Sequence, residues 1–382
     1  MEKERSVGSA QLTGLVDQKL QKVHTQSLDL SFNELLDMAQ NSELDITPEY
    51  QRLFQWSEGA RSRFIESLLL EMPVPPIYVV EEDEGRYLLI DGLQRISSYL
   101  HFRGALEADH LDPPVLLGEK LILTDCDIVE EFNGKCWDDL GTALQIRLKR
   151  SFVRVEVIRR GSDPRFKYHM FKRLNTGGEL LTDQQLRNCT IRLLNPTFND
   201  FIISLSGDAI FQKIVSDNLS REKRLGAYDQ ELILRFFSLK NARSEFVHDV
   251  RDFLTQYMEE VSDPETPREF VYADQERDFL KTFRILDLVL GEKAFSSANA
   301  AKTDLKRGFL VYHFEAFSVG LQQKLDDIDE SDDVQIGRLR KALMQLKFDD
   351  NFIQETTGGG KNSPGPLARR ISMVEKVVEE VL

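Results

Sequence analysis

The sequence feature that most constrains the fold is the stretch from Arg86 to Ile96, RYLLIDGLQRI, in which an apolar run ends abruptly at an Asp-Gly pair. The apolar residues from Leu88 to Ile90 are typical of a buried β-strand. Gly92 allows a sharp turn of the backbone and a close approach of a ligand. Apolar residues at helical spacing follow directly, so the stretch predicts a strand, a tight turn and a helix.

The polar residues of this stretch indicate an anion site. Gln94 and Arg95 fall in the first turn of the expected helix, where unpaired amides and the helix dipole attract negative charge. A guanidinium there adds a bidentate grip on a phosphate, and Asp91 can hold a metal ion or polarise a water molecule. The alternative interpretation is an ordinary strand-to-helix turn that carries a surface arginine.

Length and composition indicate a soluble globular protein with two domains. The chain has 382 residues, 30% charged and 41% hydrophobic, with a formal net charge of −15. This negative charge argues against non-specific coating of DNA but leaves room for a local basic patch. No apolar stretch approaches the roughly 20 residues that a membrane span needs, and no signal-peptide core follows the N-terminus. We therefore expect a cytoplasmic protein that binds no membrane, with its three cysteines reduced and partly buried.

The first half of the chain predicts an α+β domain. A capping box at Ser31 starts one helix, and an amphipathic helix from Arg61 to Leu70 carries Arg61, Arg63 and Glu66 outside its apolar face. Strands are expected at Ile77–Val80 and Tyr87–Ile90, which form a hairpin, within Val115–Leu123, and at Phe152–Ile158.

The second half shows helical spacing almost throughout and predicts an all-α domain. A second capping box, from Thr182 to Gln185, starts the helix that follows the downstream glycines. We assign residues 1–26 to a loosely ordered arm, residues 27–188 to the α+β domain and residues 189–382 to the helical domain. A Gly/Pro-rich loop at 356–366 interrupts the helical domain; it lacks the upstream glycine and the Ser or Thr of a phosphate-binding P-loop.

Three ordered stretches resemble the N-terminal domain family of GmrSD-type restriction enzymes, which carries a DGQQR signature. Residues Asp91 to Arg95 read DGLQR, with Leu93 at the first glutamine position. Upstream, Ile46 to Trp56 (ITPEYQRLFQW) is similar to the family's I-P-x-x-Q-R-x-x-x-W segment. Downstream, Phe171 to Asn188 (FKRLNTGGELLTDQQLRN) is similar to its F-x-x-I/L-N-T-G-G-x-x-L-x-x-x-E-L-R-N segment, with Gln185 in place of the glutamate.

The resemblance implies a ParB/sulfiredoxin-like fold for the first domain and nucleotide binding and hydrolysis that control a nuclease. Carried onto this chain, it implies that Arg95 and Arg52 hold phosphates and that Asp91 acts through a metal ion or water, so that Asp91 and Arg95 are the candidate catalytic residues. Further candidates for nucleotide binding are Gln51, Gly92, Gln94, Asn175, Gly177 and Gly178. Such arginines, an acid and exposed amides suit a nucleotide triphosphate with Mg²⁺, because phosphoryl transfer relies on positioning and charge neutralisation.

Structural interpretations compete with these roles at several positions. Asn175 can simply cap a helix, and Arg52 can pair with Glu49 or Glu58. Trp56 fits a core position better than a platform for base stacking.

DNA and a nuclease subunit are the macromolecular partners that the sequence suggests. Basic clusters at 147–150, 221–224 and 369–370 are either solvated faces or parts of a DNA path. Multi-domain relatives carry an HNH nuclease after the helical part, whereas none of the six histidines here sits in an HNH-like or HExxH setting. We therefore expect no DNA cleavage by this chain alone, and a nuclease or other defence-system subunit as its partner.

Two classes of function remain open from the sequence. The first is a nucleotide-hydrolysing regulatory protein of a prokaryotic restriction or anti-phage defence system. The second is a non-catalytic scaffold that binds DNA or protein through the same fold, because a fold by itself does not fix a function.

Overall fold

A computed structural model describes residues 12–14, 17, 24–46, 54, 56–109, 111, 113–175, 182–247, 249–299, 301–306 and 308–382; within the helix that ends at Asn175, the side chains of Phe171, Lys172 and Asn175 are outside the description. Contacts between Cα atoms divide the chain into two compact units, Met1–Leu181 and Thr182–Leu382. The division between these units, after Leu181, lies seven residues before the domain boundary predicted at Asn188. The domain boundary itself stays a prediction.

The first unit contains a five-stranded mixed sheet. Its strands, in chain order, are β1 (Thr25–Ser31), β2 (Leu44–Asp45), β3 (Ile77–Glu81), β4 (Tyr87–Asp91) and β5 (Phe152–Ile158). Their order across the sheet is β1-β5-β3-β4-β2. Strands β3 and β4 form the expected antiparallel hairpin, and β3 pairs with β5 in parallel. The sequence prediction of an α+β first half is thus confirmed.

Five helices of the first unit are α1 (Phe32–Gln40), α2 (Glu58–Leu69), α3 (Leu93–Phe102), α4 (Gly141–Arg150) and α5 (Pro164–Asn175). Short 3-10 turns lie at Asp83–Gly85, Glu130–Phe132 and Trp137–Leu140. Helix α1 starts where the capping box predicted, because the side chain of Ser31 accepts a hydrogen bond from the amide of Glu34. Apolar residues from α1, α2 and α3 pack with those of the sheet in one core, which includes Phe32, Ile65 and Ile96.

The sheet topology brings several chain segments to one edge. Tyr78 pairs with Asp91, the last residue of β4, and Ile77 pairs with Val155 in the middle of β5. Because β4 runs antiparallel to β3 and β5 runs parallel to it, the end of β4 lies beside the start of β3 and level with the middle of β5. The Asp-Gly turn is therefore presented at this edge.

Three expectations for the first unit need correction. Residues Val115–Leu123 form no pair of strands: Leu121 and Leu123 are buried and Ile122 is exposed, but the amide of Leu121 bonds to the carbonyl of His101 at the end of α3. Alternating burial in an irregular loop therefore imitates a strand. Thr25 and Gln26, assigned to the arm, already pair with Ile158 and Val157 in the sheet. Arg61 and Glu66, assigned to the polar side of α2, are buried.

The second unit is helical in the described residues, as the sequence predicted. Its α-helices are α6 (Asp183–Ile191), α7 (Thr197–Ser206), α8 (Ala209–Ile214), α9 (Arg221–Leu225), α10 (Tyr228–Ala242), α11 (Val250–Val261), α12 (Tyr272–Leu290), α13 (Val311–Gly320), α14 (Asp333–Lys347), α15 (Asp350–Thr356) and α16 (Pro364–Val381). Its 3-10 turns are Ser216–Asn218, Arg243–Glu245, Gly291–Lys293 and Gln322–Lys324.

Aromatic rings fill the core of the second unit. The rings of Phe236 and Phe279 lie 5.7 Å apart, and those of Phe279 and Phe283 lie 4.5 Å apart. The Gly/Pro-rich stretch is shorter as a loop than predicted, because Pro364 to Pro366 already form the first turn of α16. Among the helices that the structure describes, none has the length and apolarity needed to cross a membrane.

Candidate functional site

The Asp-Gly turn joins β4 to α3 and has a backbone that only glycine adopts without strain. Gly92 has φ +112°, in the left-handed region. A Cβ atom at this position would lie 2.8 Å from Cγ1 of Ile77 on the neighbouring strand. Gly92 therefore serves both the turn and the close packing of the turn on β3.

Arg95 is a buried residue of the signature rather than an exposed one. Its guanidinium donates from Nη2 to Oδ2 of Asp91 at 2.7 Å and from Nη1 to the carbonyl oxygen of Pro75 at 2.8 Å. The side chain is only 11% exposed. The alternative interpretation of this residue as a surface arginine is thus wrong, because the turn at Gly92 places the cation against the carboxylate that ends β4. Its role toward phosphate stays a prediction.

Asp91 is the accessible polar group of the turn. Its side chain is 36% exposed, and the ion pair with Arg95 uses one carboxylate oxygen, Oδ2. Arg95 therefore fixes the orientation of the carboxylate while Oδ1 stays available for water, a metal ion or a ligand donor. In the part of the chain that the structure describes, no cluster of three or more His, Cys, Asp or Glu side chains could hold a metal ion. A metal ion here would need ligands from elsewhere, such as phosphate oxygens.

Gln94 contacts the last residue of the upstream motif. Its Oε1 accepts a hydrogen bond from the backbone amide of Trp56 at 3.1 Å. Trp56 is half-buried, and its ring meets Phe64 edge-on with centroids 5.9 Å apart, which confirms the packing role expected for it. Gln94 thus forms a hydrogen bond within the protein, and its contact with nucleotide stays a prediction.

The structure does not describe all of the other predicted site residues. Gln51, Arg52, Gly177 and Gly178 lie outside the described residues, and Asn175 is the last residue of α5 with its side chain outside the description. The structure therefore brings Asp91, Gly92, Gln94 and Arg95 together at one turn. Whether the remaining residues join them is a prediction from the sequence.

The downstream motif supplies structural contacts within the second unit. Gln185 completes the predicted capping box with Thr182 and also donates from Nε2 to the carbonyl oxygen of Leu225 at 2.9 Å. A glutamate could accept from the Thr182 amide but could not donate to Leu225, which explains the amide at this position. Arg187 is buried and paired with Glu231 at 3.1 Å. These residues hold α6 in place.

Sequence reasoning missed two buried polar side chains of α2, Arg61 and Glu66. The carboxylate of Glu66 accepts from the amides of Ile128 and Val129 at 3.1 and 2.7 Å and so fastens an irregular loop to the helix. Arg61 contacts Trp56 and His101. The signal for Arg61 was available, because it precedes Phe64, Ile65 and Leu68 by three, four and seven residues and thus shares their helical face.

A groove of about 860 Å³ lies at the start of β5, since its lining includes Phe152 and Val153. The apolar side chains of Met72, Ile146 and Phe152 are 45%, 43% and 69% exposed there. Three arginines and two acids also line it, namely Arg147, Arg150, Arg154, Asp29 and Glu71. The groove is thus apolar at its floor and carries a slight excess of positive charge.

The basic clusters differ in how much charge they expose. In the cluster 369–370, Arg370 is fully buried in an ion pair with Glu315, and Arg369 pairs with Glu355 at 3.0 Å. That cluster is therefore a structural feature and not a surface patch. The cluster 147–150 carries its charge on α4, where Arg147 and Arg150 line the groove.

Comparison with known proteins gives one family. Residues 32–192 match the family model for the GmrSD restriction endonuclease, N-terminal domain. The matched segment includes the Asp91–Arg95 turn and extends through α6. No curated protein and no solved structure matches the chain at a significant level. Residues 32–192 are therefore similar to the N-terminal domain of GmrSD-type restriction enzymes.

Proposed function

We propose that this chain binds and hydrolyses a nucleotide triphosphate with Mg²⁺ and thereby regulates a prokaryotic restriction or anti-phage defence system. The observation that carries the proposal is the turn at the end of β4, where an oriented and accessible Asp91 carboxylate adjoins a left-handed glycine in a GmrSD-type domain. We further propose a ParB/sulfiredoxin-like fold for the first unit and the cytoplasm as the place of action.

Asp91 is suited to act through a metal-bound nucleotide. Mg²⁺ in nucleotide sites is commonly held by one or two carboxylates together with substrate phosphates and water. The single available oxygen of Asp91 matches that need better than it matches a metal cage made of protein alone. When bound, Mg²⁺ would supply neutralisation of phosphate charge, and Asp91 would orient it or an attacking water.

Arg95 supports this chemistry mainly by holding Asp91. Its cation already faces the Asp91 carboxylate and the Pro75 carbonyl oxygen, so binding a phosphate requires it to share these bonds. We assign most of the phosphate binding to Arg52, Gln51, Asn175, Gly177 and Gly178, with the amides after Gly92 adding their dipole.

Release of inorganic phosphate tests the proposal. Purified protein is incubated with Mg²⁺ and ATP, GTP, CTP or UTP in turn, with and without duplex DNA, beside an Asp91→Asn variant. We expect turnover of at least one nucleotide by the wild type and a loss of about 100-fold or more in the variant, as for removal of a catalytic charge. Equal turnover by the two proteins contradicts the role of Asp91, and no turnover of any nucleotide contradicts hydrolysis.

A second candidate function is a non-catalytic scaffold, and the groove beside β5 favours it. An exposed aromatic ring among arginines is a surface that can stack a base and contact phosphates. The ion pairs of Arg147 and Arg154 with Glu71 and Asp29 are exposed, so exchanging a carboxylate for a phosphate there costs little. DNA binding by the wild type, lost in Phe152→Ala and independent of nucleotide, supports the scaffold.

A nuclease supplied by another polypeptide completes the proposed system. This chain alone is expected to leave duplex DNA uncut in the presence of Mg²⁺, with or without nucleotide. Cleavage that co-purifies with the wild type and disappears in Asp91→Ala contradicts this division of labour.

A further inference from the structure

Two side chains of the first unit form hydrogen bonds to the main chain at Trp56, and we call this pair of bonds the grip. Its amide donates to Oε1 of Gln94 at 3.1 Å, and its carbonyl oxygen accepts from Nε of Arg61 at 2.7 Å. Gln94 belongs to α3 and Arg61 to α2, so both helices hold the same peptide. Trp56 is the last residue of the upstream motif, and the grip therefore fixes the end of that motif.

Arg61 makes this grip from a buried position. Arg61 is 5% exposed, and its guanidinium lies 4.5 Å from the ring centroid of Phe54. Its Nη1 donates to Nδ1 of His101 at 3.2 Å. Among the described residues, no carboxylate forms a salt bridge with it. A buried cation is expensive to desolvate, and an apolar side chain would pack on α2 at lower cost. The cation is therefore placed for its directed bonds.

His101 completes the arrangement from the signature helix. Burial and the nearby Arg61 cation lower the pKa of His101 to about 4, so at neutral pH the ring is uncharged and Nδ1 can accept from Arg61. His101 and Gln94 are seven residues apart on α3 and thus lie on one face of the helix. That face contacts both Trp56 and Arg61.

We propose that Arg61, His101 and Gln94 are positioning residues that hold Phe54 and Trp56 against α3 and so keep the nucleotide site at the start of α3 ordered before the nucleotide binds. This inference rests on the proposed nucleotide site. Residues held in place before binding save the entropy of ordering them, and loss of the hold weakens binding of the nucleotide in its ground state and its transition state alike. The expected signature is a higher KM with little change in kcat.

The hold itself is tested without nucleotide. The chain has two tryptophans, so a Trp137→Phe background leaves Trp56 as the sole reporter. In that background, Arg61→Met should red-shift the emission of Trp56 and raise its quenching by acrylamide, whereas Arg63→Met, an exposed arginine on the same helix, should change neither. Gln94→Leu removes the bond to the Trp56 amide and serves if Arg61→Met does not fold. Unchanged Trp56 emission and quenching in the folded variants overturns the inference.

The function of the hold is tested with the nucleotide triphosphate that the wild type turns over best. Relative to Arg63→Met, we expect Arg61→Met to raise KM by about ten-fold or more and to change kcat by less than about three-fold, because uniform binding is lost. Arg61→Lys, which keeps the charge, should recover part of the loss. A KM equal to that of the control, with Trp56 released, shows that the grip is only structural and overturns the positioning role.

The two proposals fail in different ways. If the wild type neither binds nor hydrolyses any of the four nucleotides, the proposed function falls and the contribution of the hold to nucleotide binding falls with it. The Trp56 result still decides whether Arg61 holds the chain. If the wild type is active and the Arg61→Met variant matches the control in both measurements, only the positioning inference is overturned.

Discussion

Replacement of Arg95 by Met provides a sharp structural test of the signature, because it removes the guanidinium and keeps much of the side-chain volume. The change breaks the ion pair with Asp91 and the hydrogen bond to the Pro75 carbonyl oxygen, both made by a side chain that is 11% exposed. Hydrogen bonds to charged groups contribute about 1.5–3 kcal/mol, and water can reach the 36% exposed Asp91 to recover part of the loss. We therefore expect the first unit to lose about 1.5–3 kcal/mol of its free energy of unfolding.

The measurement is thermal unfolding followed by intrinsic fluorescence. Both tryptophans, Trp56 and Trp137, belong to the first unit, so their emission reports on that unit alone. For a unit of this size, each kcal/mol lowers Tm by about 2–4 °C, and the expected decrease is about 3–12 °C. Arg86→Met is the matched control, because Arg86 is 54% exposed and its nearest carboxylate oxygen, on Glu84, is 3.9 Å away. It should cost less than about 1 kcal/mol.

A double-mutant cycle with Asp91→Asn assigns the loss to the pair. The Arg95→Met change should cost clearly less when Asp91 is already Asn, because the charge it neutralises is gone. A Tm for Arg95→Met equal to that of Arg86→Met refutes the reasoning, since it would mean that the guanidinium contributes nothing to the first unit. Any additional loss of nucleotide stabilisation in Arg95→Met would show that the cation serves phosphate as well.

Three further predictions concern other residues of the described structure. Gly92→Ala should lower the free energy of unfolding by about 2–4 kcal/mol, from left-handed backbone strain plus the close contact with Ile77. Gly85→Ala, with φ +77° and no atom within 4 Å of the added Cβ, should lose only the backbone part of about 1–2 kcal/mol, and urea denaturation compares the two variants. Gln185→Glu should destabilise the second unit by about 1–3 kcal/mol, because the bond to the Leu225 carbonyl oxygen is lost in a buried setting; circular dichroism in urea measures this. The pKa of His101 is about 4 when folded and 6.5 when unfolded, so the unfolded state takes up a proton first as the pH falls. Stability of the first unit is therefore fully present above about pH 6.5 and decreases by roughly 3 kcal/mol toward pH 4; tryptophan-detected urea curves should show a smaller pH slope in His101→Asn.

Much of the fold follows from local sequence patterns. The capping boxes at Ser31 and Thr182, the β3–β4 hairpin and the strand-turn-helix at Gly92 are where the sequence predicts them, because side-chain caps and glycine at positive φ act within a few residues. For the segment Val115–Leu123 the same reasoning predicted strands, and that prediction was wrong. Its alternating burial is set by the end of α3 and by a neighbouring loop, which periodicity cannot identify.

The candidate site was predictable in its location but not in its contacts. The sequence placed Asp91, Gly92, Gln94 and Arg95 at one turn, and the structure agrees. That Arg95 would face Asp91 and Pro75, and that Gln94 would hold Trp56, depends on tertiary packing between elements far apart in the chain. Arg61 and Glu66 were missed because a charged side chain on a helix is usually solvated. The helical spacing of Arg61 indicated its burial, whereas only its hydrogen-bond partners reveal that Glu66 is buried.

Calorimetric titration of nucleotide triphosphate into the wild type and Asp91→Asn, each with and without Mg²⁺, tests the central claim most directly. We predict that the wild type binds at least one of the four nucleotides and that Mg²⁺ strengthens this binding by about ten-fold or more. The Asp91→Asn variant should lose most of the Mg²⁺ effect, because one carboxylate ligand is gone. Its affinity for nucleotide without Mg²⁺ should stay similar or rise, because repulsion of phosphate is reduced. Binding by both proteins with the same Mg²⁺ dependence would contradict the assignment of Asp91 to the metal–nucleotide complex, and no binding by the wild type would contradict the nucleotide site itself.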